Sequence, residues 1–345
     1  VSFAVAVLSF LLSRVVPVAS PALTAIVLGV IAANTRLLPD GLQPGLAVAA
    51  KPVLRIGIVL LGLQLALGDV LALGLGTLAL IVFIVTAGVG TGVLLGRWLG
   101  IPRIQTLLIA CGFSICGAAA VAAASGSLSP ERRAGESEAD ALSRHETRTA
   151  TAVALVVVFG TLMIPLMPVL TGALGLDQRE SGTWIGASVH EVAQVVAAGS
   201  LTAGDGSETL GVAVLVKLGR VLMLAPMIAV LVGLDRRQVD TEGQDEGSED
   251  GQGDRRERVR PPLVPGFVVF FLVAVALRST GFVPSIVLDV AAPIQTMLLA
   301  AAMFALGTGV KVSLLRQVGG RPVALAALIT LVVVLLGGIG AALVA

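Results

Sequence analysis

Gly186-Ala-Ser-Val-His-Glu-Val-Ala-Gln-Val-Val-Ala-Ala-Gly199 decides how this chain is read. It places His190, Glu191 and Gln194 inside an apolar segment of membrane-spanning length, from Gly182 to Leu201. An acidic side chain at the centre of a membrane helix costs roughly +2.5 to +3.5 kcal/mol on insertion scales, so such residues default to a functional reading. Gly186, Ala187, Ser188, Ala197, Ala198 and Gly199 are small enough for close backbone approach or for a break in the helix. A polar clamp between helices would use the same residues, but a transport-site element is the better account of a His–Glu pair at that depth.

Composition agrees with a membrane setting. Of 345 residues, 56% are hydrophobic and 13% charged, against about 25% charged in soluble domains. At about 20 residues per span, the chain has room for about ten or eleven helices. The apolar runs do not alternate in polarity, which excludes an outer-membrane barrel. No basic cluster is interleaved with aromatics, so no nucleic-acid partner is expected. Cys111 and Cys116 fall within one span and form neither a disulfide framework nor a zinc knuckle. No metal or cofactor is expected. Val1–Phe10 lacks a small-residue cleavage pattern and reads as part of a first span, not as a signal peptide.

The expected spans are 2–16, 20–35, 52–68, 73–96, 104–124, 149–170, 182–201, 209–233, 263–278, 290–310 and 322–344, all in one transporter domain over 1–345. Segment 125–148 reads as a polar loop and 235–260 as a disordered cytoplasmic linker. Taking loops alternately, one set holds Arg36, Lys51, Arg55, Arg97, Arg103, Arg179, Arg236, Arg237, the Arg255–Arg260 cluster, Lys311, Arg316 and Arg321. The positive-inside rule puts that set in the cytoplasm. The Arg-bearing 125–148 loop then falls on the other, sparser side. Gly62–Gly74 can be laid on Gly307–Gly319 as a thin internal repeat of the kind inverted transporters carry.

Two further elements carry chemistry. In Ala110–Ala120, glycines flank Ser114, Ile115 and Cys116, so this span is breakable. A half-helix starting near Gly117 would aim its positive end at the bilayer centre and suit an anion, although a small-residue packing helix reads the same way. In Val214–Leu222, Lys217 and Arg220 share a face roughly 12–18 Å deep at about 1.5 Å per residue. Two buried cations need anionic partners. Glu191 is placed to neutralise one and leave positive charge for a substrate, or to form a purely structural pair. Gln64 is an uncharged contributor. His145 sits in the charged loop and reads as a solvated bystander. The HEVAQ run lacks the second histidine of a zinc protease, and no triad surrounds Ser114, which disfavours an intramembrane protease.

At this point six motifs carry a resemblance: GIVLLGLQLALGDV (57–70), CGFSICGAAAV (111–121), FGTLMIPLMPVL (159–170), GASVHEVAQVVAAG (186–199), LVKLGRVLMLAP (215–226) and ALGTGVKVSLLRQVG (305–319). The chain resembles the YeiH-like family of bacterial inner-membrane proteins, labelled sulfate exporters. It departs from that family at Ala119, where SICGASA is usual, and in a longer 125–148 insert. The family is similar to the sodium/proton antiporter and bile-acid transporter superfamily. That resemblance implies an all-α polytopic inverted-repeat fold with a panel domain and a core domain containing two discontinuous, crossing helices.

The expected function is secondary active transport of a small anion, sulfate among them, by alternating access coupled to protons or sodium. No Walker motif is present for ATP. Ser114, Cys116, Gly117, Gln194, Lys217, Arg220 and Gln64 are the expected substrate residues, and His190 with Glu191 the ion-coupling pair. The partners are the anion, the coupling ion, the bilayer and a second copy in a homodimer. The rival readings are a cation/proton antiporter using Glu191 and, less well supported, a non-transporting scaffold.

Overall fold

Backbone polar groups cannot go unpaired in hydrocarbon, so a chain this apolar has to fold as helices. The computed structural model describes residues 1–15, 21–35, 39–131, 135–203, 207–233, 266–308 and 319–345, and these contain no strand. In chain order the helices are α1 (Ser2–Val15), α2 (Pro21–Asn34), α3 (Gln43–Val48), α4 (Leu54–Gly62), α5 (Leu67–Leu71), α6 (Leu75–Trp98), α7 (Arg103–Ser114), α8 (Ala118–Ser125), α9 (Glu138–Ala173), α10 (Gln178–Ser188), α11 (Val192–Ala203), α12 (Glu208–Leu222, helical again over 224–233), α13 (Gly266–Ser279), α14 (Ser285–Thr308) and α15 (Gly320–Val344). Among the described residues, five helices are long and apolar enough to cross a membrane: α6, α9, α12 with its continuation, α14 and α15. The chain is a multi-pass membrane protein.

The helices sort into two groups. In one, α14 packs on α1, α2 and α4, and α4 on α13. In the other, α6–α12 and α15 pack on one another. Between the groups α5 touches both α12 and α13, α2 meets α11, and α14 meets α9.

Glycines set the register inside the second group. Methyls built on Gly88, Gly92 and Gly96 would press on Ser114, Ala110 and Thr106, so α6 and α7 run antiparallel from the turn at Gly100. α8 then folds back: a methyl on Gly112 would lie 2.5 Å from Val121 Cγ2. At its end the Ser125 hydroxyl is 2.8 Å from His145 Nε2, near the start of α9. The 36 residues of α9 cross to the opposite face, where Arg179 at the start of α10 donates to the Leu73 carbonyl just before α6. Residues 103 and 125 therefore share the Trp98 face, and α7–α8 enters and leaves by it. The second pair does the same from the Leu73 face. Gly182 of α10 and Gly199 of α11 both press on the first turn of α12, against Thr209 and Leu210 respectively.

The expectation of two discontinuous crossing helices is thus corrected to two helical hairpins entering from opposite faces. The reason is small residues on the inner sides of both hairpins, with Gly117 at φ +74° helping the first to reverse. The 125–148 segment is corrected with it. It lies on the face of Arg97 and Arg103, and from Glu138 onward it is helix, because Ser137 Oγ caps α9 by accepting the Asp140 N–H at 3.1 Å. Arg144 and Arg148 then tie the loop down through ion pairs to Glu136 and Glu131. His145 is buried against Ser125, not solvated. The 235–260 linker and positions 309–318 of the proposed repeat lie outside the described residues.

A cysteine introduced at Pro102 and one at Glu131 should label with an impermeant maleimide from the same side of the membrane, and one at Gly175 from the other. Labelling of Pro102→Cys and Glu131→Cys from opposite sides would restore the crossing arrangement.

Candidate functional site

A helix that stops inside a bilayer leaves carbonyls unpaired at its C-terminal end and N–H groups at its N-terminal end, with no water to satisfy them. α7 stops where Ile115 leaves helical geometry (φ −110°, ψ −89°). α10 stops at the extended Val189 (φ −68°, ψ 143°). The tips, 115–117 and 189–191, meet beside α12.

α12 supplies the missing donors. Lys217 Nζ donates to the Ile115 carbonyl at 2.8 Å and the Val189 carbonyl at 2.9 Å. Arg220 serves the carbonyls of Phe113, Ser114, Gly186, Ala187 and Val189, the shortest at 2.6 Å to Ala187. Both side chains are fully buried. A guanidinium has five N–H donors in a planar fork, and this one is saturated by backbone. The carbonyl ends of α7 and α10 also carry the negative ends of their helix dipoles, which favours cations there.

Glu191 does the opposite work. Its Oε1 accepts the Ala118 N–H at 2.9 Å, at the positive end of α8. It occupies the hollow beside Gly117, where an added methyl would lie 2.3 Å from Glu191 Cγ. The expected Glu191–Lys217 or Glu191–Arg220 pair is therefore corrected: the cations spend their donors on carbonyls, and the carboxylate caps a helix. His190 Nδ1 faces the Phe113 carbonyl and Nε2 faces Thr330 Oγ1 on α15, both at 3.2 Å. Its ring lies 4.6 Å from that of Phe113.

Both tips follow one pattern. Gly112-Phe-Ser-Ile-Cys-Gly117 matches Gly186-Ala-Ser-Val-His-Glu191 position for position in its glycine, its serine and its β-branched residue. Lys217 binds the carbonyls of equivalent residues, Ile115 and Val189. Ser114 and Ser188 each end a helix and each face a glycine, at Gly88 and Gly337. This short repeat was the legible signal that the longer, looser alignment missed. Where the tips differ, Cys116 against His190 and Gly117 against Glu191, the titratable chemistry sits mainly in the second hairpin.

The structure brings Ser114, Cys116, Gly117, His190, Glu191, Gln194, Lys217 and Arg220 together. Gln64 stands apart. It is exposed and donates to Gln295 Oε1 in the other helix group. Sequence reasoning took Ser188 only as a small residue of the breakable segment and missed Thr330. Three buried polar atoms around the tips, Ser114 Oγ, Ser188 Oγ and Gln194 Nε2, have no partner among the described residues. Buried polar groups are rarely left so without a ligand or water to meet them.

Fold and site together define a polytopic membrane protein built around two opposed hairpins. The chain belongs to the family described as conserved hypothetical protein 698, whose model matches residues 1–326. It is 48% identical over 307 residues to a UPF0324 membrane protein of Corynebacterium glutamicum, covering 89% of this chain and 80% of that one. A UPF0324 membrane protein of Pseudomonas aeruginosa is 38% identical over 323 residues, 91% of this chain and 83% of that one. One of Paracoccus denitrificans, UPF0324 membrane protein TauZ, is 34% identical over 294 residues, 84% of this chain and 78% of that one.

Arg220→Met should strip donors from five buried carbonyls and destabilise the protein by more than about 3 kcal/mol, the scale for removing one partner of a buried charged network. Arg220→Lys should recover only part of this, because an ammonium lacks the planar fork. Denaturant titration in detergent measures both, and stability within about 0.5 kcal/mol of wild type, as for an unimportant surface site, would remove Arg220 from this role.

Proposed function

We propose that this protein is a secondary active transporter of a small anion, with the substrate held where the two hairpin tips meet. The supporting observation is the meeting of two broken helices at a buried centre that holds two cations and one carboxylate, flanked by unpartnered Ser114 Oγ, Ser188 Oγ and Gln194 Nε2, whose side chains lie against Gly88, Gly337 and Gly160. Lys217 and Arg220 supply positive field to the anion through the backbone they hold. Lys217 keeps one of its three N–H donors beyond the two carbonyls it serves. Glu191, with His190 beside it, is the group that carries the coupling, to protons or to sodium.

Hairpins entering from opposite faces with one repeated tip motif fit an inverted-repeat transporter, in which half-helix ends face the substrate at the midplane. Limited contact between the two helix groups fits movement of one against the other, as alternating access needs. Basic residues support an orientation. Arg97, Arg103, Arg144, Arg148 and Arg321 lie toward the Trp98 face, against Arg179 and Arg278 toward the other, so the Trp98 face is cytoplasmic in a bacterial inner membrane. The YeiH-like label supports sulfate as a first substrate to test. A cation/proton antiporter is less well supported, because two cations stand beside the only carboxylate at this depth among the described residues.

Purified protein in liposomes should take up radiolabelled sulfate or another small oxyanion down an imposed pH or sodium gradient without ATP. Lys217→Ala should lower uptake at least about tenfold, the loss of a contact worth about 1.4 kcal/mol. No flux of any small anion under either gradient would overturn the reading.

A further inference from the structure

The charge at the hairpin tips can be counted. α12 contributes Lys217 and Arg220, and the second tip contributes Glu191. His190 counts as a neutral ring, because a third buried cation beside Lys217 and Arg220 would go uncompensated. Its Nδ1–H donates to the Phe113 carbonyl, and Nε2 lies 3.2 Å from Thr330 Oγ1, whose hydroxyl also reaches the Ala326 carbonyl at 2.8 Å. The first tip offers only the thiol of Cys116. The charged residues of α6, α9 and α15 lie near their ends, at Arg97, in the 138–148 stretch and at Arg321, and α8 and α11 have none. The half-helix dipoles cancel to first order, since two carbonyl ends and two N–H ends meet at one place. What remains is two cations and one carboxylate, a net single positive charge far from water.

An uncompensated charge in a protein interior costs several kcal/mol even after relaxation. Binding is therefore strongest when the incoming anion brings the total to zero. We infer that the hairpin centre admits one net negative charge, as a monoanion with Glu191 ionised or as a dianion with Glu191 protonated. This rests on the anion-transporter reading and adds the substrate's charge class and its link to the proton. Protonating Glu191 leaves Oε1 or its carbonyl counterpart able to keep accepting the Ala118 N–H, so the cap survives the change. A dianion therefore travels with one proton, and a monoanion without.

The test uses two tetrahedral sulfur oxyanions that differ by one charge, methanesulfonate and sulfate, neither of which changes charge between about pH 5.5 and about pH 8.5, where a coupling group would titrate. Equilibrium binding is measured on the full-length protein in detergent and flux in liposomes. Sulfate affinity should fall by about tenfold per pH unit once Glu191 deprotonates, as one linked proton requires. Methanesulfonate affinity should hold or rise over the same range. Glu191→Gln keeps an oxygen for Ala118 and fixes the centre as if protonated. Its sulfate affinity should vary by less than about twofold with pH, within the noise of a binding constant. Parallel pH slopes for both anions, a slope that persists in Glu191→Gln, or one lost in His190→Gln instead, would each overturn the inference while leaving an anion transporter in place. Failure of both anions to bind or move at any pH would overturn the anion reading and the inference with it.

Discussion

Backbone carbonyls stranded in the middle of the membrane are the constraint on which this structure turns. Two helices stop short, and the carbonyls of Phe113, Ser114, Ile115, Gly186, Ala187 and Val189 all look for donors where no water reaches. One helix answers all of them, with Lys217 and Arg220 three residues apart on a common face. Fixing the tips this way fixes what lies beyond them. Gly117 leaves room for Glu191, Glu191 caps α8, and Thr330 of α15 is drawn into contact with His190.

Much of this was legible in the chain. Deep polar residues in apolar runs mark functional positions because the bilayer penalises them, and His190, Glu191, Lys217 and Arg220 do gather in one place. The path of the chain was not legible. From Arg103 to Ser125 the hydropathy and length match a single crossing, and the same is true from Gln178 to Ala203. Hydropathy reports that a segment is buried in lipid or protein, not whether it goes through or turns back. Only pair contacts such as Gly112 on Val121, or Gly182 and Gly199 on one turn of α12, tell the two apart.

Charge patterns misled in a related way. Glu191 and Lys217 invite an ion pair on paper, because opposite charges at similar depth are expected to meet. The backbone competes, and here it wins. His145 looked solvated because its neighbours in sequence are charged, yet those neighbours point away from it into ion pairs with Glu131 and Glu136. Gln64 sits in a motif full of glycine, but its amide is taken by Gln295.

The saturated Arg220 also bears on how the protein is made. Both hairpins leave the ribosome before α12 does, so their tip carbonyls are synthesised ahead of the Lys217 and Arg220 donors that serve them. Until Lys217 and Arg220 are in place, the carbonyl end of each tip lacks donors that lipid cannot supply. The arrival of α12 therefore satisfies the carbonyl ends of both hairpins in one step, tying the two halves together through a single helix.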